Sequence, residues 1–226
     1  MLVLCLEGAH GTGKSTIIDQ LRKLGVNVLD EAFIGMPSYN VHPQSLCMES
    51  IWLSHWFERL LKLQQTNPDD LFVCDRSPYC AELYTAKGRY GAVLEPFIRA
   101  QIEELKASAG IEIYTVNITV ERQTLWDRIQ ARLALEPHRQ QFNEDSYEWL
   151  TTVLDWYEAH RWDFSVENNG DMANDADAIL GVIRSMLGQI HKSVPAFREY
   201  AASPVSPIVG GDLAEQVRFR TEFRPV

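Results

Sequence analysis

The sequence lacks the features that mark several classes of protein. Nowhere does it contain about eighteen consecutive uncharged apolar residues, the length that a membrane-spanning helix needs. Its apolar start, Met1 to Leu6, is followed at once by Glu7, without the basic segment and cleavage site of a secretory signal. It also shows no internal repeat and no low-complexity tract. We therefore expect a cytoplasmic globular protein without a membrane partner.

Cysteine and basic residues are also scarce. The four cysteines have no C-x-x-C spacing, so we expect reduced thiols that pack as small apolar side chains, and no zinc site. They are Cys5, Cys47, Cys74 and Cys80. The 21 Lys and Arg residues are outnumbered by 31 Asp and Glu residues, which gives a net charge of −10. A surface that binds nucleic acid needs clustered cations. We therefore expect no nucleic-acid partner, and any anionic ligand must be held by local positive charge.

What the sequence does contain is an alternation of apolar strands and amphipathic helices. Its 226 residues, 46% of them apolar, suit one compact domain. Apolar runs predict strands at 2–6, 26–29, 71–74, 111–118 and 164–166. Helical periodicity predicts helices at 15–24, 44–63, 96–107, 121–135, 145–161 and 175–190, with Pro96 in the first turn of its helix. This alternation predicts an α/β fold with a mostly parallel sheet covered by helices on both faces.

The last part of the chain differs from the rest. Residues that break regular structure recur there, namely Pro195, Pro204, Gly210 and Gly211, with Pro207 and Pro225. We expect a single domain over 1–192, with a lid at about 132–144. The remainder, 193–226, is predicted to be a C-terminal extension of unknown role.

An eight-residue motif links the first predicted strand to the first predicted helix. Residues 8–15 read G-A-H-G-T-G-K-S and satisfy the Walker A pattern G-x-x-x-x-G-K-[ST]. Glycines let backbone N–H groups wrap the phosphates of a nucleotide, and the helix N-terminus adds its positive end. Lys14 would supply an exposed, mobile cation, and Ser15 would ligate Mg²⁺. The motif predicts a P-loop that binds ATP and Mg²⁺ through Gly8, His10, Gly11, Thr12, Gly13, Lys14, Ser15 and Thr16.

Two charged residues follow the third predicted strand. In a parallel sheet, Asp75 and Arg76 would lie at the carboxyl edge that faces the P-loop. There Asp75 can hold the metal and Arg76 can stabilise charge on the transferred phosphate, the alternative being an ion pair that caps the next helix. The sequence has neither an Asn-Lys-x-Asp guanine signature nor a separate long apolar strand ending in Asp-Glu. This favours a kinase over a GTPase or a motor ATPase.

Over about residues 2–190, the chain resembles the deoxynucleoside kinase and thymidylate kinase branch of the P-loop kinases. The likeness rests on Glu7-Gly8 through Thr16, an acid after the second strand, Asp75-Arg76-Ser77, Tyr84, Gly88, and Arg128-Ile129-x-x-Arg132. The resemblance implies transfer of a phosphoryl group from ATP, with Mg²⁺, to a nucleoside or a nucleoside monophosphate. Homodimers formed through helices are common in these families, so a homodimer stays open.

The resemblance also implies a catalytic base. A Glu after the second strand of deoxynucleoside kinases accepts the proton of the sugar 5′-hydroxyl, and Glu31 falls at that point. The adjacent Asp30 is the alternative base. The Pro that commonly follows this Glu is absent, since Ala32 and Phe33 stand there.

A group of arginines matches the lid of these kinases. Lid arginines clamp the donor phosphates when substrate is bound, because guanidinium groups are always charged and bind two oxygens at once. Arg128 and Arg132 have i, i+4 spacing and should face the same side of their helix, with Arg139 beyond them. A solvated helix face is the alternative interpretation.

The acceptor site is predicted from fewer signals. Glu49 lies near the position of the base-reading Gln of deoxynucleoside kinases, and Trp52 and Trp56 follow at one and two turns. These tryptophans would either stack on a base or belong to the core. Arg76 and Tyr84 complete the predicted site.

Three functions remain open at this point. Thymidylate kinases usually have an Asp within the P-loop and an aromatic residue after Asp-Arg, whereas this chain has His10 or its neighbours and Ser77. Ser77 favours the first function, transfer to a deoxynucleoside. The second is a thymidylate kinase, in which Arg76 or Arg89 would bind the acceptor phosphate. The third is a nucleotide-binding regulator without turnover.

Overall fold

The structure of the protein, a computed structural model, describes residues 1–193 except 32, 34, 35, 38 and 171, and only the backbone of 191–193. The predicted C-terminal extension therefore lies outside the described residues, apart from Ser193. Within the described part, no helix has both the length and the apolar character needed to cross a membrane.

A five-stranded sheet forms the centre of the domain. Its strands are β1 (Leu2–Glu7), β2 (Asn27–Leu29), β3 (Leu71–Asp75), β4 (Glu112–Thr119) and β5 (Phe164–Glu167). Their spatial order is β2-β3-β1-β4-β5, and every pairing is parallel. The central strand β1 pairs with both β3 and β4 and is buried along its whole length. Burial on both faces explains why its sequence is a continuous apolar run and does not alternate.

Helices connect the strands. They are α1 (Lys14–Lys23), α2 (Leu46–Thr66), α3 (Cys80–Tyr84), α4 (Gly91–Glu104), α5 (Arg122–Leu135), α6 (Tyr147–Ala159) and α7 (Ala176–Ser193). A π-helical turn at Leu105–Ala109 follows α4, and 3₁₀ turns span Pro137–Phe142 and Met172–Asn174. Side-chain oxygens of Ser45, Glu121 and Ser146 cap α2, α5 and α6 by accepting from backbone N–H groups of the first turn.

The apolar core lies on both sides of the sheet. On one side, Val3 of β1 packs in a cluster with Leu53 of α2 and Ile98 of α4. On the other side, Leu4 packs with side chains of α1 and α7, among them Ile17. Alternate residues of β1 thus enter opposite clusters, as the pleat of a strand requires. The predicted α/β fold, a parallel sheet flanked by helices on both faces, is confirmed.

One prediction about a helix start was wrong. Pro96 does not lie in the first turn, because α4 already begins at Gly91. The N–H groups of Val93 and Leu94 both bond to Tyr90 O at 3.0 Å, so the helix is closed before the proline is reached. The sequence also does not predict α3, because five residues are too few to show a helical period.

Candidate active site

The P-loop that joins β1 to α1 is shaped by three glycines. Gly8, Gly11 and Gly13 have φ angles of 137°, 86° and 96°, a region that other L residues avoid. A Cβ atom on Gly8 would lie 2.4 Å from Ile118 O, and one on Gly13 would lie 2.7 Å from Asn168 Nδ2. No other residue fits these two positions without moving β4 or the segment that follows β5.

The first turn of α1 completes the loop. Its first helical hydrogen bond runs from Ile17 N–H to Gly13 O at 3.0 Å. The N–H groups of Lys14, Ser15 and Thr16 precede that bond and have no acceptor within the helix. Together with the positive end of the helix dipole, they form a cradle suited to phosphate oxygens.

Lys14 is placed differently from the prediction. It is not an exposed cation, because the residue is buried at 6% exposure. Its Nζ donates to Gly8 O at 2.7 Å, to Ala9 O at 2.9 Å and to Thr12 Oγ1 at 3.3 Å. Burial, with a smaller contribution from Arg76, lowers the pKa of Lys14 to about 8. The ammonium group thus lies inside the loop, held by the carbonyls that the glycine turns direct inward.

The two predicted metal ligands lie next to each other. Ser15 Oγ donates to Asp75 Oδ2 at 3.1 Å. Asp75 is the last residue of β3, the strand beside β1, so its carboxylate emerges at the same sheet edge as the P-loop. Hydroxyl and carboxylate oxygens are the protein ligands that Mg²⁺ prefers. This pair therefore fits the metal that a P-loop enzyme requires.

Arg76 lies at the centre of the site. Its backbone has a φ of 68°, and its N–H donates to Leu6 O at 3.0 Å. The side chain lies over the Tyr84 ring at 5.0 Å and its Nη1 donates to Tyr157 Oη at 3.1 Å. Its Nε is 3.0 Å from Glu31 Oε1, an ion pair. These contacts hold the guanidinium group at the sheet edge beside the P-loop.

The structure separates the two candidate bases. Asp30 is exposed, and its carboxylate forms an ion pair with Arg22 at 2.6 Å. Glu31, the next residue, lines the cleft described below. Burial raises the pKa of Glu31, and the positive charge of Arg76 partly opposes that shift. Of the two carboxylates, only Glu31 faces the cleft beside the P-loop.

A buried network behind Arg76 was not predicted. Glu7 is fully buried, and its Oε1 accepts from Ser77 N–H at 2.6 Å and from Ser77 Oγ at 2.7 Å. Its Oε2 accepts from Tyr157 Oη at 2.9 Å and lies 4.0 Å from Arg76 Nη1. In the sequence, Glu7 could have been noticed as a member of this network, because it is a charged residue at the end of an apolar strand. Nothing in the local sequence indicates Tyr157, because its partner is 150 residues away.

An open cleft lies next to the P-loop, with an empty volume of about 710 Å³ that includes its mouth. Aromatic side chains form much of its wall, namely Phe33, Trp52, Tyr84, Phe142 and Trp149. Polar groups reach it from the loop, the strand ends and the lid, namely His10, Glu31, Gln44, Glu49, Arg76, Arg139 and Glu144.

The three predicted acceptor residues of α2 do not all reach this cleft. Trp52 and Glu49 line it, and Trp52 packs edge-on against Phe33 with ring centroids 6.4 Å apart. Burial, with a further contribution from Glu31, raises the pKa of Glu49 to about 8. Trp56, at 1% exposure, belongs to the core and is not in the cleft wall. The core alternative applies to Trp56, which lies one turn beyond Trp52 on the same side of α2 and is enclosed by the core cluster.

The arginines that were predicted to belong to the lid bind different partners. Arg128 donates through Nη1 to Asn168 O at 2.9 Å and through Nη2 to Gly170 O at 3.0 Å, so it fastens the segment after β5. Arg132 forms an ion pair with the buried Glu144, whose other oxygen is 3.3 Å from Arg139 Nη1. The i, i+4 spacing of Arg128 and Arg132 on α5 therefore does not direct both side chains to the same partner. Arg132 and Arg139 share a carboxylate, whereas Arg128 binds backbone carbonyls.

Comparison with known proteins agrees with the architecture. A family model described as an AAA domain matches residues 3–174. No curated protein matches the sequence. A candidate kinase from Chloroflexus aurantiacus has a similar structure, with a TM-score of 0.56, 15% identity, and coverage of 81% of this chain and 97% of that one. This likeness shows a shared fold.

Two further solved structures are more distant. A gluconokinase from Sinorhizobium meliloti 1021 gives a TM-score of 0.47 at 13% identity, covering 85% of this chain and 97% of that one. The APS kinase of Mycobacterium tuberculosis, in complex with AMPPNP and APS, gives 0.43 at 14% identity, with 80% and 96% covered.

Proposed function

This chain belongs to the AAA domain family, and we propose that it is an ATP-dependent kinase that phosphorylates the 5′-hydroxyl of a deoxynucleoside. The observation that carries the proposal is the junction between the P-loop and the cleft. On the loop side, Ser15 Oγ is 3.1 Å from Asp75 Oδ2. On the cleft side, Arg76 Nε is 3.0 Å from Glu31 Oε1. A donor phosphate and an acceptor hydroxyl would therefore meet at one point.

The donor half of the site would hold the phosphates of ATP. The N–H groups at the start of α1 and the ammonium of Lys14 suit the β- and γ-phosphates. Ser15 and Asp75 would hold Mg²⁺, which when bound supplies charge neutralisation at those phosphates. The backbone of Thr16 extends the same cradle. Lys14 already lies inside the loop, so it needs to exchange carbonyl acceptors for phosphate oxygens and does not have to approach from solvent.

The acceptor half would carry out the transfer. The hydroxyl oxygen forms a bond to the γ-phosphorus, and the bond between that phosphorus and the oxygen bridging to the β-phosphate breaks, which releases ADP. The hydroxyl proton passes to Glu31, whose raised pKa makes it a stronger base than an exposed carboxylate. Arg76, held beside Glu31, would stabilise the charge on the transferred group.

The cleft favours an uncharged acceptor with an aromatic ring. Its aromatic walls suit a nucleobase. Both of its arginines are paired with carboxylates, Arg76 with Glu31 and Arg139 with Glu136 and Glu144. An acceptor phosphate would have to displace one of these pairs. This supports a nucleoside over the alternative of thymidylate.

The other cation considered for an acceptor phosphate lies elsewhere. Arg89 is exposed, stacks over the Tyr90 ring at 5.5 Å and is not in the cleft wall. Glu49 and Gln44, which line the cleft, are suited to hydrogen bonds with the edge of a base. The site has a candidate base, two candidate metal ligands and lid arginines that pair with carboxylates. Their combined presence argues against a regulator without turnover.

ADP release measured with each of the four deoxynucleosides and their 5′-monophosphates tests this function. We expect deoxynucleosides to be the better acceptors. Glu31→Gln should lower kcat by roughly 10²- to 10⁴-fold with little change in the ATP KM, because only the proton acceptor is lost. Asp30→Asn is the matched control and should retain wild-type kcat. Phosphorylation of monophosphates alone would instead support the thymidylate kinase alternative, and an unchanged Glu31→Gln rate would contradict the assigned base.

A further inference from the structure

We propose that His10 is a catalytic residue whose side chain donates a hydrogen bond to the phosphoryl group during transfer. This inference rests on the proposed function, since it requires phosphoryl transfer at the junction of P-loop and cleft. It gives the third residue of the P-loop motif a role of its own, distinct from that of the backbone cradle.

The first support is an unsatisfied nitrogen. His10 is only 7% exposed, yet its side chain lines the cleft together with Glu31 and Arg76. Its Nε2 is buried and has no hydrogen-bond partner among the residues that the structure describes. Buried polar atoms without partners are rare and costly in native proteins. A ligand group bound between the loop and the cleft would supply the missing partner.

The second support is that the fold does not need this side chain to shape the loop. Gly11, the next residue, packs directly against α5, where an added Cβ would be 3.0 Å from Ile129 Cγ1 and 3.1 Å from Leu125 Cδ1. On the other side, Ala9 is buried at 2% exposure. The backbone around His10 is therefore fixed by its neighbours. The buried imidazole thus lies in the cleft wall on a backbone that its neighbours fix.

The third support is the surrounding charge. Burial first, and then the positive charges of Arg132, Lys14, Arg76 and Arg139, lower the pKa of His10 to about 3. At neutral pH the ring is therefore uncharged and has one N–H donor and one acceptor nitrogen. A neutral donor adds a hydrogen bond to the phosphoryl oxygens without repelling the nearby cations. The same shift makes His10 a poor base, which leaves the hydroxyl proton to Glu31.

Three substitutions test the role in the full-length protein. His10→Leu removes the donor, whereas His10→Gln keeps an N–H group on a side chain of similar length. We expect His10→Leu to lower kcat by about 10²-fold, as for the loss of one donor to a developing oxyanion. The ATP KM should change little, and His10→Gln should recover most of the loss. His55→Leu changes an exposed histidine on α2 and should leave both constants unchanged.

A binding measurement without an acceptor separates this inference from the proposed function. Aluminium fluoride with ADP and Mg²⁺ mimics the transferring phosphoryl group. Wild-type protein should bind ADP more tightly when aluminium fluoride is present, and His10→Leu should lose most of that gain while binding ADP alone normally. If the wild type phosphorylates no deoxynucleoside but this pattern holds, the acceptor assignment fails and the role of His10 stands.

Other results would overturn the inference. Equal tightening in His10→Leu and wild type would show that His10 does not contact the phosphoryl group. Weak binding of ADP alone by both His10→Leu and His10→Gln would assign the residue to the structure of the loop.

Discussion

At the scale of single residues, the same carboxylate group occurs in this site in four environments. Glu7 is fully buried and accepts three hydrogen bonds, Glu31 is paired with an arginine, Glu49 is buried with a raised pKa, and Asp30 is exposed. Partners and burial, which are not encoded next to the residue in the sequence, decide which of them can exchange a proton. The sequence could therefore restrict the base to Glu31 or Asp30 but could not choose between them.

Glu49 predicts a dependence of stability on pH. Its pKa in the folded protein is raised to about 8, so folding favours its protonated form. The contribution of Glu49 to the free energy of unfolding is fully present below its pKa in the unfolded chain, about 4.3. It is lost as pH rises towards 8. Relative to wild type, Glu49→Gln should therefore gain stability over that window, by at most about 1.4 kcal/mol per pH unit.

Urea unfolding of both proteins at several pH values between 5 and 8 measures this difference. Glu58→Gln, on the exposed side of α2, is a control that should show no such gain. Wild-type and Glu49→Gln free energies that stay parallel over this window would show that Glu49 is ionised in the folded protein.

Lys14 predicts a loss of both activity and stability. Lys14→Met should lower kcat by at least about 10²-fold, because a cation at the transferring phosphate is removed. It should also reduce the free energy of unfolding by about 1–3 kcal/mol, because the buried carbonyls of Gly8 and Ala9 lose their donor. Lys23→Met, at the exposed end of α1, is the matched control. Near-normal turnover in Lys14→Met would contradict the kinase proposal, and unchanged stability would contradict the contacts of Nζ.

At the scale of elements, the predicted lid differs from the rest of the domain in how it is held. The 3₁₀ turn Pro137–Phe142 has no buried residue. Its side-chain links to α5 are ion pairs: Arg139 pairs with Glu136 at the end of α5 and with Glu144, whose carboxylate also pairs with Arg132. These few polar contacts can rearrange at lower cost than a packed apolar face can be opened, because no large apolar surface is exposed to water. An element held in this way is suited to rearrange when a nucleotide binds.

The two arginines of α5 should therefore have different kinetic effects. Arg132→Ala should lower kcat, by about 10²-fold, more than it raises the acceptor KM, because a lid arginine acts mainly in the closed transition state. Arg128→Ala should chiefly raise the ATP KM, since Arg128 fastens the segment containing Asn168, which donates to Thr12 O at 2.8 Å in the P-loop.

Steady-state kinetics of both variants measures this contrast. Arg122→Ala, whose side chain is 3.8 Å from Asp155 on the outer face, should match wild type. Identical profiles for Arg128→Ala and Arg132→Ala would contradict the separation seen in the structure.

The elements themselves were largely predictable, for a physical reason. Strand and helix periods are local, so the five strands and the long helices follow from runs within one segment. Helix α3 is too short to show a period, and Pro96 misplaced a helix start because proline usually stands in the first turn, where its missing N–H costs nothing, whereas this one lies inside α4. The P-loop was found because all its parts are contiguous. The divergence of Arg128 and Arg132 depends on partners far along the chain.

At the scale of the whole molecule, α7 closes one of the two sides of the core. Its residues Ile179, Ile183, Met186, Leu187 and Ile190 pack with β1 and α1 side chains in one cluster. Each large buried apolar side chain contributes about 1.5–3 kcal/mol. Five of them together match the whole stability of a typical domain, about 5–15 kcal/mol. The boundary of the folding unit is therefore expected beyond α7.

Two truncations test that boundary. A chain that ends after residue 193 retains α7 and should unfold cooperatively, with a Tm within a few degrees of the full chain. A chain that ends after residue 175 loses the five buried side chains and should lack a cooperative transition. Circular dichroism during thermal unfolding distinguishes them. Cooperative unfolding of the shorter chain would contradict the assigned role of α7.

The position of β1 in the middle of the sheet has a consequence for synthesis on the ribosome. Both neighbours of this strand, β3 and β4, come later in the chain, so its two edges stay unpaired until at least residue 71 has emerged. At about 5–20 residues per second, the delay after β1 is roughly 3–13 s. Throughout that interval an uninterrupted apolar strand presents two open edges, the form of polypeptide most prone to pair with another chain. The strand that ends at the P-loop is thus made before both of its neighbours and is completed late, and nascent chains of this protein should depend on chaperones until β4 has emerged.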